Sequence, residues 1–557
     1  MRWQVAPLAL PFCLLWQASA FPLAHSNAAS LLDISISDLS ALLQSGAITS
    51  YDLVELYFQR IEDVNAELNA VIEISQNALD VARQRDDERA AGNLRGPLHG
   101  IPILVKDNYA TTDDLQTGAG SVCLAKARPW EEATVIVKLR QAGAIIIGKT
   151  NQAEFSGGRG SNSTAGWSPR GGQTFGAYVQ NQTACGSSSG SGVSASLGLA
   201  AGTLGTETAG SITCPAFMNN VVGIKPTVGL TSRYGVVPLT ARQDTTGPLT
   251  QSVADAALIL EVIAGKDPRD NYTLSQPWST PPRYTQVLNA SALEGKRIGV
   301  IRTDEPILDK SLFVNYDEIQ VVFDAALISL EVAGAQLVNV KPEGFTGSLL
   351  NATNLVQGNM TLYGRPDYKE SLTKYLDNTI HDAQSPQNLT QLIECIRTDP
   401  SEEIDRVNID SLEKIAAWNK TADGQEAWEA YNAAKELART ILLGSVKREG
   451  LDAIVTLLDV ALIFAAPTGL PIVTVPMGSL GQNATVIWDE SGTLIESAPG
   501  MPLGLSFVAD RWEEEALIGY AYAFEQVSKA RGELKPWIKP GHDLELILRK
   551  PRSAELR

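Results

Sequence analysis

The most informative segment of the chain reads CGSSSGSGVSASLGLAAGTLGTETAGSITCPAFMNNVVGIK and spans residues 185–225. Two clusters of small residues, Gly186–Gly192 and Ala209–Ser211, flank a small and mostly apolar stretch that is typical of a helix. Small residues let backbone amides approach a ligand closely. A serine on such a turn can point its hydroxyl outward while neighbouring N–H groups hold an oxyanion. A flexible Ser/Gly linker would not carry the run VSASLGLAAGTLG, so we interpret the segment as part of a serine-based site.

A serine nucleophile needs a base, and Lys106 is the candidate. It follows the apolar run Ile101–Val105 in HGIPILVKDN, which places it at the end of a predicted buried strand. A charged lysine is costly in such a position, so we expect its pKa to fall and its neutral amine to accept a proton. Histidine is a weaker candidate, because none of the four histidines lies near the serine clusters and His99 suits a turn: His25, His99, His381 and His542.

The rest of the chain predicts an α/β fold. Apolar runs at consecutive positions alternate with helical patterns, which favours a sheet that is covered by helices on both faces. The predicted strands are Ile101–Val105, Ile145–Ile147, Ile298–Ile301, Ala453–Thr456, Ile472–Val475 and Leu503–Val508. We expect one catalytic domain over residues 21–557, in which the more polar and helical stretch 346–448 is an insertion on the substrate side.

One motif points elsewhere and is rejected. The run GAIIIGKT at Gly143–Thr150 satisfies the pattern of a phosphate-binding loop. That loop needs a flexible stretch after a strand, whereas the residues here between the two glycines favour a strand themselves. We therefore predict a strand and no nucleotide site.

Composition and charge exclude other classes. The 557 residues are 44% hydrophobic and 19% charged, as in globular proteins. With 45 Lys and Arg against 63 Asp and Glu, the formal net charge is −18. A nucleic-acid binder would need a basic face, and no Lys/Arg cluster is visible. This argues against nucleic acid as a partner and against an amidotransferase subunit that acts on charged tRNA.

The first twenty residues, MRWQVAPLALPFCLLWQASA, are typical of a secretory signal that is cleaved after Ala20. An uncleaved membrane anchor is the alternative, which two prolines and a short apolar run disfavour. N-x-S/T sequons are in excess, since chance would give about three or four. They predict a secreted glycoprotein and lie at Asn162, Asn181, Asn271, Asn289, Asn351, Asn359, Asn388, Asn419 and Asn483.

Five cysteines are present, and Cys13 would leave with the signal. The remaining four allow three pairings, and an oxidising compartment permits disulfides. The pattern does not choose between bridges and buried thiols at Cys123, Cys185, Cys214 and Cys395.

These segments together resemble the amidase signature family. The similarity includes GPLHGIPILVKDN around Lys106, GKTNQAEFS at Gly148–Ser156 and the segment 185–225, and it extends from about Ser30 to Lys539. The run GWSPRGGQT at Gly166–Thr174 is most similar to the branch that contains bacterial peptide amidases. Three positions depart from the common pattern, with Cys185 and Ala209 in place of glycine and Glu207 in place of aspartate, and none removes a residue expected to be catalytic.

The resemblance implies a fold and a site. The fold is a mixed, mostly parallel sheet between helical layers. Lys106 is implied as the base, Ser187 as a bridging serine after a cis peptide bond, and Ser211 as the nucleophile. The backbone amides of Thr208, Ala209, Gly210 and Ser211 are implied as the oxyanion hole, and Ser188 is expected to form hydrogen bonds close to the triad.

The resemblance also implies an activity, without a metal or organic cofactor. We expect a secreted amidohydrolase for linear primary amides, with C-terminal peptide amides as one class. Two alternatives stay open. One is a lipid- or aryl-amide hydrolase on the same triad. The other is a secreted binding protein that retains the fold without turnover.

Overall fold

The structure is a computed structural model that describes residues 30–302, 315–341, 349–379 and 385–548. The predicted signal segment 1–20 lies outside the described residues. Fifteen strands are found in the described part: β1 Val71–Ile74, β2 Pro102–Lys106, β3 Ile145–Thr150, β4 Trp167–Ser168, β5 Gly172–Gln173, β6 Gly202–Glu207, β7 Val222–Lys225, β8 Thr245–Thr250, β9 Arg297–Ile301, β10 Gln336–Val340, β11 Ala453–Thr456, β12 Ile472–Ser479, β13 Ile487–Trp488, β14 Ile495–Ser497 and β15 Pro502–Val508.

The same residues form sixteen α-helices: α1 Ile36–Gln44, α2 Ser50–Leu68, α3 Ala78–Ala90, α4 Val122–Ala125, α5 Thr134–Gln141, α6 Ser189–Ser196, α7 Thr213–Met218, α8 Val253–Ile263, α9 Tyr316–Val332, α10 Leu349–Thr379, α11 Leu389–Thr398, α12 Asp410–Ala416, α13 Gln425–Glu449, α14 Leu458–Ala465, α15 Glu514–Ser528 and α16 Glu545–Leu548. Among these described helices, none is both long and apolar enough to cross a bilayer.

Eleven strands form one sheet in the order β1-β3-β2-β6-β8-β7-β12-β15-β11-β9-β10. The predicted mixed sheet is confirmed. Four of its ten neighbouring pairs are parallel and six are antiparallel. The parallel pairs form two groups, β3-β2-β6 and β11-β9-β10, with antiparallel strands between them. The group that contains β2 and β6 carries the site described below.

Both faces of the sheet are buried. Alternate residues of a strand point to opposite faces, so neighbouring residues that belong to different core clusters show this burial. In β11, Ala453 and Val455 belong to the larger core cluster. Ile454, between them, belongs to a second cluster together with residues of α13 and α14. This confirms the prediction of a sheet with helices on both sides, which the consecutive apolar residues of β11 indicated.

Most predicted strands appear close to their expected bounds, and β3 extends through the GKT of the rejected loop motif. The segment after Gly192 differs from the expectation. It is not one helix, since α6 ends at Ser196 and β6 begins at Gly202. A run of small residues suits either element, and here its second half is buried in the sheet between β2 and β8.

Helices α10 to α13 occupy most of the stretch 346–448, and α11 is covalently tied to the body of the protein. A disulfide joins Cys395 of α11 to Cys123 of α4. Beside it, Glu402 Oε1 accepts hydrogen bonds from Ser121 Oγ at 2.6 Å and from the N–H of Cys123 at 2.7 Å. Glu402 also forms a buried ion pair with Arg159 at 3.1 Å.

Candidate active site

The site is built at the ends of two parallel strands. Lys106 is the last residue of β2, and Thr206 lies near the end of β6. The two strands pair in parallel, with Val105 opposite Leu204. Parallel neighbours end at the same edge of a sheet, where the loops that follow them form a crevice. The lysine and the loop after β6 therefore meet at this edge.

Lys106 is fully buried, and its amine lies between two hydroxyl groups. Its Nζ donates to Ser187 Oγ at 2.7 Å and to Thr206 Oγ1 at 2.9 Å. Burial lowers the pKa of Lys106 to about 7, because desolvation disfavours the ammonium more than the carboxylates of Asp244 and Glu207 favour it. A substantial fraction of the amine is therefore neutral at pH 7, as a proton acceptor must be.

Ser187 stands in the loop between the cis peptide bond Gly186–Ser187 and helix α6. The neighbouring Ser188 links this loop to β6, because its Oγ donates to the carbonyl of Thr206 at 3.1 Å and accepts from the Thr206 N–H at 3.2 Å. The N–H of Ser188 also donates to the carbonyl of Ser211 at 3.2 Å. Ser188 thus holds both serine-bearing loops against the strand that carries Thr206.

Ser211 lies on the turn between β6 and α7, and Glu207 shapes this turn. The buried Glu207 carboxylate accepts from the N–H groups of Gly210 at 2.9 Å, Ile212 at 2.8 Å and Thr213 at 2.8 Å. The backbone of Gly210 has φ of +85°, a conformation that side chains disfavour. Ser211 lines an open cleft, and its side chain has no hydrogen-bond partner among the described residues.

The four amides expected to hold an oxyanion are not equivalent. The N–H of Gly210 is occupied by Glu207, so in this conformation it is not available to a ligand. The N–H groups of Thr208, Ala209 and Ser211 have no acceptor within the described chain. All three residues line the cleft. The structure therefore leaves Thr208, Ala209 and Ser211 as the available donors, whereas the N–H of Gly210 stabilises the turn through Glu207.

A second disulfide closes the segment that holds both serines. It joins Cys185, two residues before Ser187, to Cys214, three residues after Ser211. The pairing left open by the sequence is thereby resolved as Cys123–Cys395 and Cys185–Cys214.

The cleft above Ser211 has a volume of about 630 Å³. One wall consists of the turn Thr208–Ser211 and the glycines Gly157 and Gly158. The other wall comes from α10 and α12, which belong to the stretch expected on the substrate side. The residues of α10 in this wall are Gln357, Met360, Thr361, Gly364, Arg365 and Tyr368, which is the spacing of one helix face.

Sequence reasoning assigned no role to three residues that shape the site. These residues are Thr206, Asn108 and Glu207. Thr206 Oγ1 accepts hydrogen bonds from Lys106 Nζ and from Asn108 Nδ2, each at 2.9 Å, and this arrangement holds the lysine amine in place. Glu207 shapes the serine turn as described. In the sequence, position 207 shows only a departure from the usual aspartate. The signal for its role is that a carboxylate three to six residues before backbone amides can accept their hydrogen bonds and stabilise a turn.

The nine sequon asparagines all lie in the described part of the chain, and none of them lines the cleft. Seven are exposed, and Asn181 and Asn359 are partly buried. Several of the exposed ones form local hydrogen bonds through their side chains. Asn388 caps α11 by accepting from the Gln391 N–H at 2.9 Å, and Asn162 Nδ2 donates to the carbonyl of Arg406 at 3.1 Å.

Comparisons with known proteins agree with this geometry. A family model described as amidase matches residues 52–518. A putative amidase of Arthroderma benhamiae is 42% identical over 514 residues, which cover 91% of this chain and 83% of the relative.

Among solved structures, the native peptide amidase of Stenotrophomonas maltophilia is similar with a TM-score of 0.79 and 35% identity. The match covers 92% of this chain and 99% of that one. A peptide amidase in complex with the competitive inhibitor chymostatin has a TM-score of 0.78 and 36% identity, over 90% of this chain and 98% of that one.

Proposed function

The chain belongs to the amidase family, and on that premise we propose that it hydrolyses linear primary amides, with C-terminal peptide amides as the lead class, through Lys106, Ser187 and Ser211. As a family member with a peptide amidase as structural neighbour, it is a hydrolase that acts on amide carbon–nitrogen bonds. The observation that carries the proposal is the buried Lys106 Nζ at 2.7 Å from Ser187 Oγ, beside a cleft that contains Ser211.

The proposed reaction passes protons along the three residues. Neutral Lys106 accepts the proton of the Ser187 hydroxyl as Ser187 accepts that of Ser211, and Ser211 Oγ attacks the amide carbonyl. The developing oxyanion binds the unoccupied amides of Thr208, Ala209 and Ser211, where one donor contributes about 3 kcal/mol. The protons return through Ser187 to the leaving ammonia, and an ester to Ser211 Oγ remains. Water then attacks this ester by the same relay, which releases the acid.

Release of ammonia from a panel of amides tests the proposal. The panel contains a C-terminally amidated peptide, a simple aliphatic amide, an aryl amide and a fatty amide, and Ser211→Ala measures the background. We expect the amidated peptide to react with the highest kcat/KM, because the cleft has a volume of about 630 Å³ and a partly polar lining. A preference for the fatty or aryl amide would favour the alternative hydrolase on the same triad. Folded protein that releases ammonia from none of them would contradict the proposal.

The pH dependence of kcat/KM provides a second test. Burial lowers the pKa of Lys106 from 10.5 to about 7, and only the neutral amine is a base. We therefore expect kcat/KM for an uncharged amide to rise about tenfold per pH unit below pH 7 and to level off above it. The control is the melting temperature at each pH, which separates titration from unfolding. Full activity at pH 4 would contradict the assignment of Lys106 as base.

We further propose that the protein is secreted and glycosylated. Three observations support this: a signal-like N-terminus, nine sequons of which seven are exposed, and two disulfides that use four cysteines. The mature chain should begin at Phe21 and carry N-glycans. A purified chain that keeps residues 1–20, or that has no glycan at any of the nine sites, would contradict this.

A further inference from the structure

The charge of the cleft differs from that of the whole chain. The protein has a net charge of −18. Among the described residues that line the cleft beside Ser211, the charged side chains are Arg365 and Lys414, and no carboxylate lines it. A local positive field attracts an anion to that place even in an acidic protein.

The two cations differ in their partners. Lys414 pairs with Asp410 at 2.7 Å, so much of its charge is balanced. The guanidinium of Arg365 has no hydrogen bond or ion pair among the described residues. It lies over the ring of Trp418, with 5.2 Å between Cζ and the ring centroid. This cation–π contact leaves the guanidinium N–H groups free, and a guanidinium can bind a carboxylate through two parallel hydrogen bonds.

The surroundings of Arg365 leave space for a ligand. Gly364, the preceding residue on the cleft face of α10, would place a Cβ where no atom lies within 4 Å. Glycine inside a helix costs about 1 kcal/mol relative to alanine, so its presence here is consistent with a need for room. Next to this space the wall is apolar at Met360 and Ile415, which suits the aliphatic part of an acyl chain.

From this arrangement we propose that the cleft selects acyl donors that carry a carboxylate, and that Arg365 binds it. For a peptide amide, this means an aspartate or glutamate side chain in one of the last residues before the C-terminal amide. The inference rests on the proposed amide hydrolysis and adds the substrate class to it. Arg365 is here a residue that determines specificity and takes no part in the proton relay.

The test compares matched peptide amides. The two series are Ac-Xaa-Ala-NH2 and Ac-Ala-Xaa-NH2, where Xaa is Glu, Gln or Lys, and kcat/KM is measured by ammonia release. In at least one series we expect kcat/KM for the Glu peptide to exceed that for the Gln peptide about tenfold or more, and the Lys peptide to have the lowest kcat/KM. A hydrogen bond to a charged group contributes enough binding energy for a tenfold difference. The series in which the preference appears identifies the residue that Arg365 contacts.

Variants of the full chain assign the preference to Arg365. In Arg365→Met we expect the ratio of kcat/KM for the Glu peptide to kcat/KM for the Gln peptide to fall to near one. Arg365→Lys should keep part of the wild-type preference. In Lys414→Gln the ratio should fall less, because Asp410 already balances that charge. The matched control is Arg406→Met. Arg406 also lies over a tryptophan, with 5.5 Å between Cζ and the centroid of the Trp167 ring, but it does not line the cleft. It should keep the wild-type ratio.

The outcomes separate the two proposals. Equal rates with Glu and Gln peptides in the wild type would overturn the inference and leave amide hydrolysis intact. A Glu preference that survives in Arg365→Met would overturn the role of Arg365. Folded protein that releases ammonia from no peptide would overturn the proposed function itself.

Discussion

Ser211→Ala should lower kcat/KM for any amide substrate by about four orders of magnitude or more, because a relay without its nucleophile forms no acyl-enzyme. Ser211 lines the cleft, and the change removes a single oxygen. Its N–H remains in place, so ground-state binding should change little. The measurement is ammonia release, combined with the intact mass of the protein after exposure to a serine-reactive phosphonofluoridate.

The matched control is Ser194→Ala. Ser194 is a buried serine of α6 whose hydroxyl has no hydrogen-bond partner among the described residues. Its removal should leave both activity and labelling near the wild-type values. Activity that persists in Ser211→Ala, or an adduct that maps to another serine, would show that the nucleophile is elsewhere.

Lys106→Met should lower kcat by about a thousandfold or more, because the variant keeps the length of the side chain and loses the base. In the wild type the Lys106 amine connects Ser187 and Thr206, and no histidine forms a hydrogen bond with either hydroxyl in the described chain. The remaining activity should also lose its inflection near pH 7. Single-turnover kinetics across pH 5–9 would measure both effects.

Lys149→Met is the control for this change. Lys149 is equally buried, at the end of the neighbouring strand β3, and burial lowers its pKa to about 8. Its Nζ donates to the carbonyl of Tyr109 at 2.5 Å and contacts neither catalytic serine. This variant should lose thermal stability and keep kcat at a temperature where it is folded. Equal loss of kcat in both variants would indicate that a buried lysine matters only for the fold.

The sequence predicts the centre of the site better than its surroundings. Lys106, Ser187 and Ser211 lie in contiguous motifs, and residue type and neighbours suffice to suggest their chemistry. The structure brings Lys106 and Ser187 together as expected. The consecutive apolar residues of β11 likewise predict its bounds, Ala453–Thr456.

What could not be predicted depends on three-dimensional placement. Glu207 binds three amides because the turn after β6 curls around it, which a composition of small residues does not specify. The disulfides could not be chosen, because three pairings are equally compatible with four cysteines. Arg365 is one charge among many on a polar helix, and only the three-dimensional position of α10 along the same cleft as the serine turn shows that it lines that cleft.

The disulfide between Cys123 and Cys395 bears on substrate binding and product release. It ties α11, which lies between α10 and α12 in the chain, to the body of the protein, so we expect the cleft wall formed by α10 and α12 to keep its position and not to move as a lid. In enzymes with a moving lid, the opening of the lid often limits the rate of turnover. Here we expect a chemical step to limit it instead. A cleft that stays open would also admit dissolved amines and alcohols beside water, so the fate of the acyl group would depend on their concentrations.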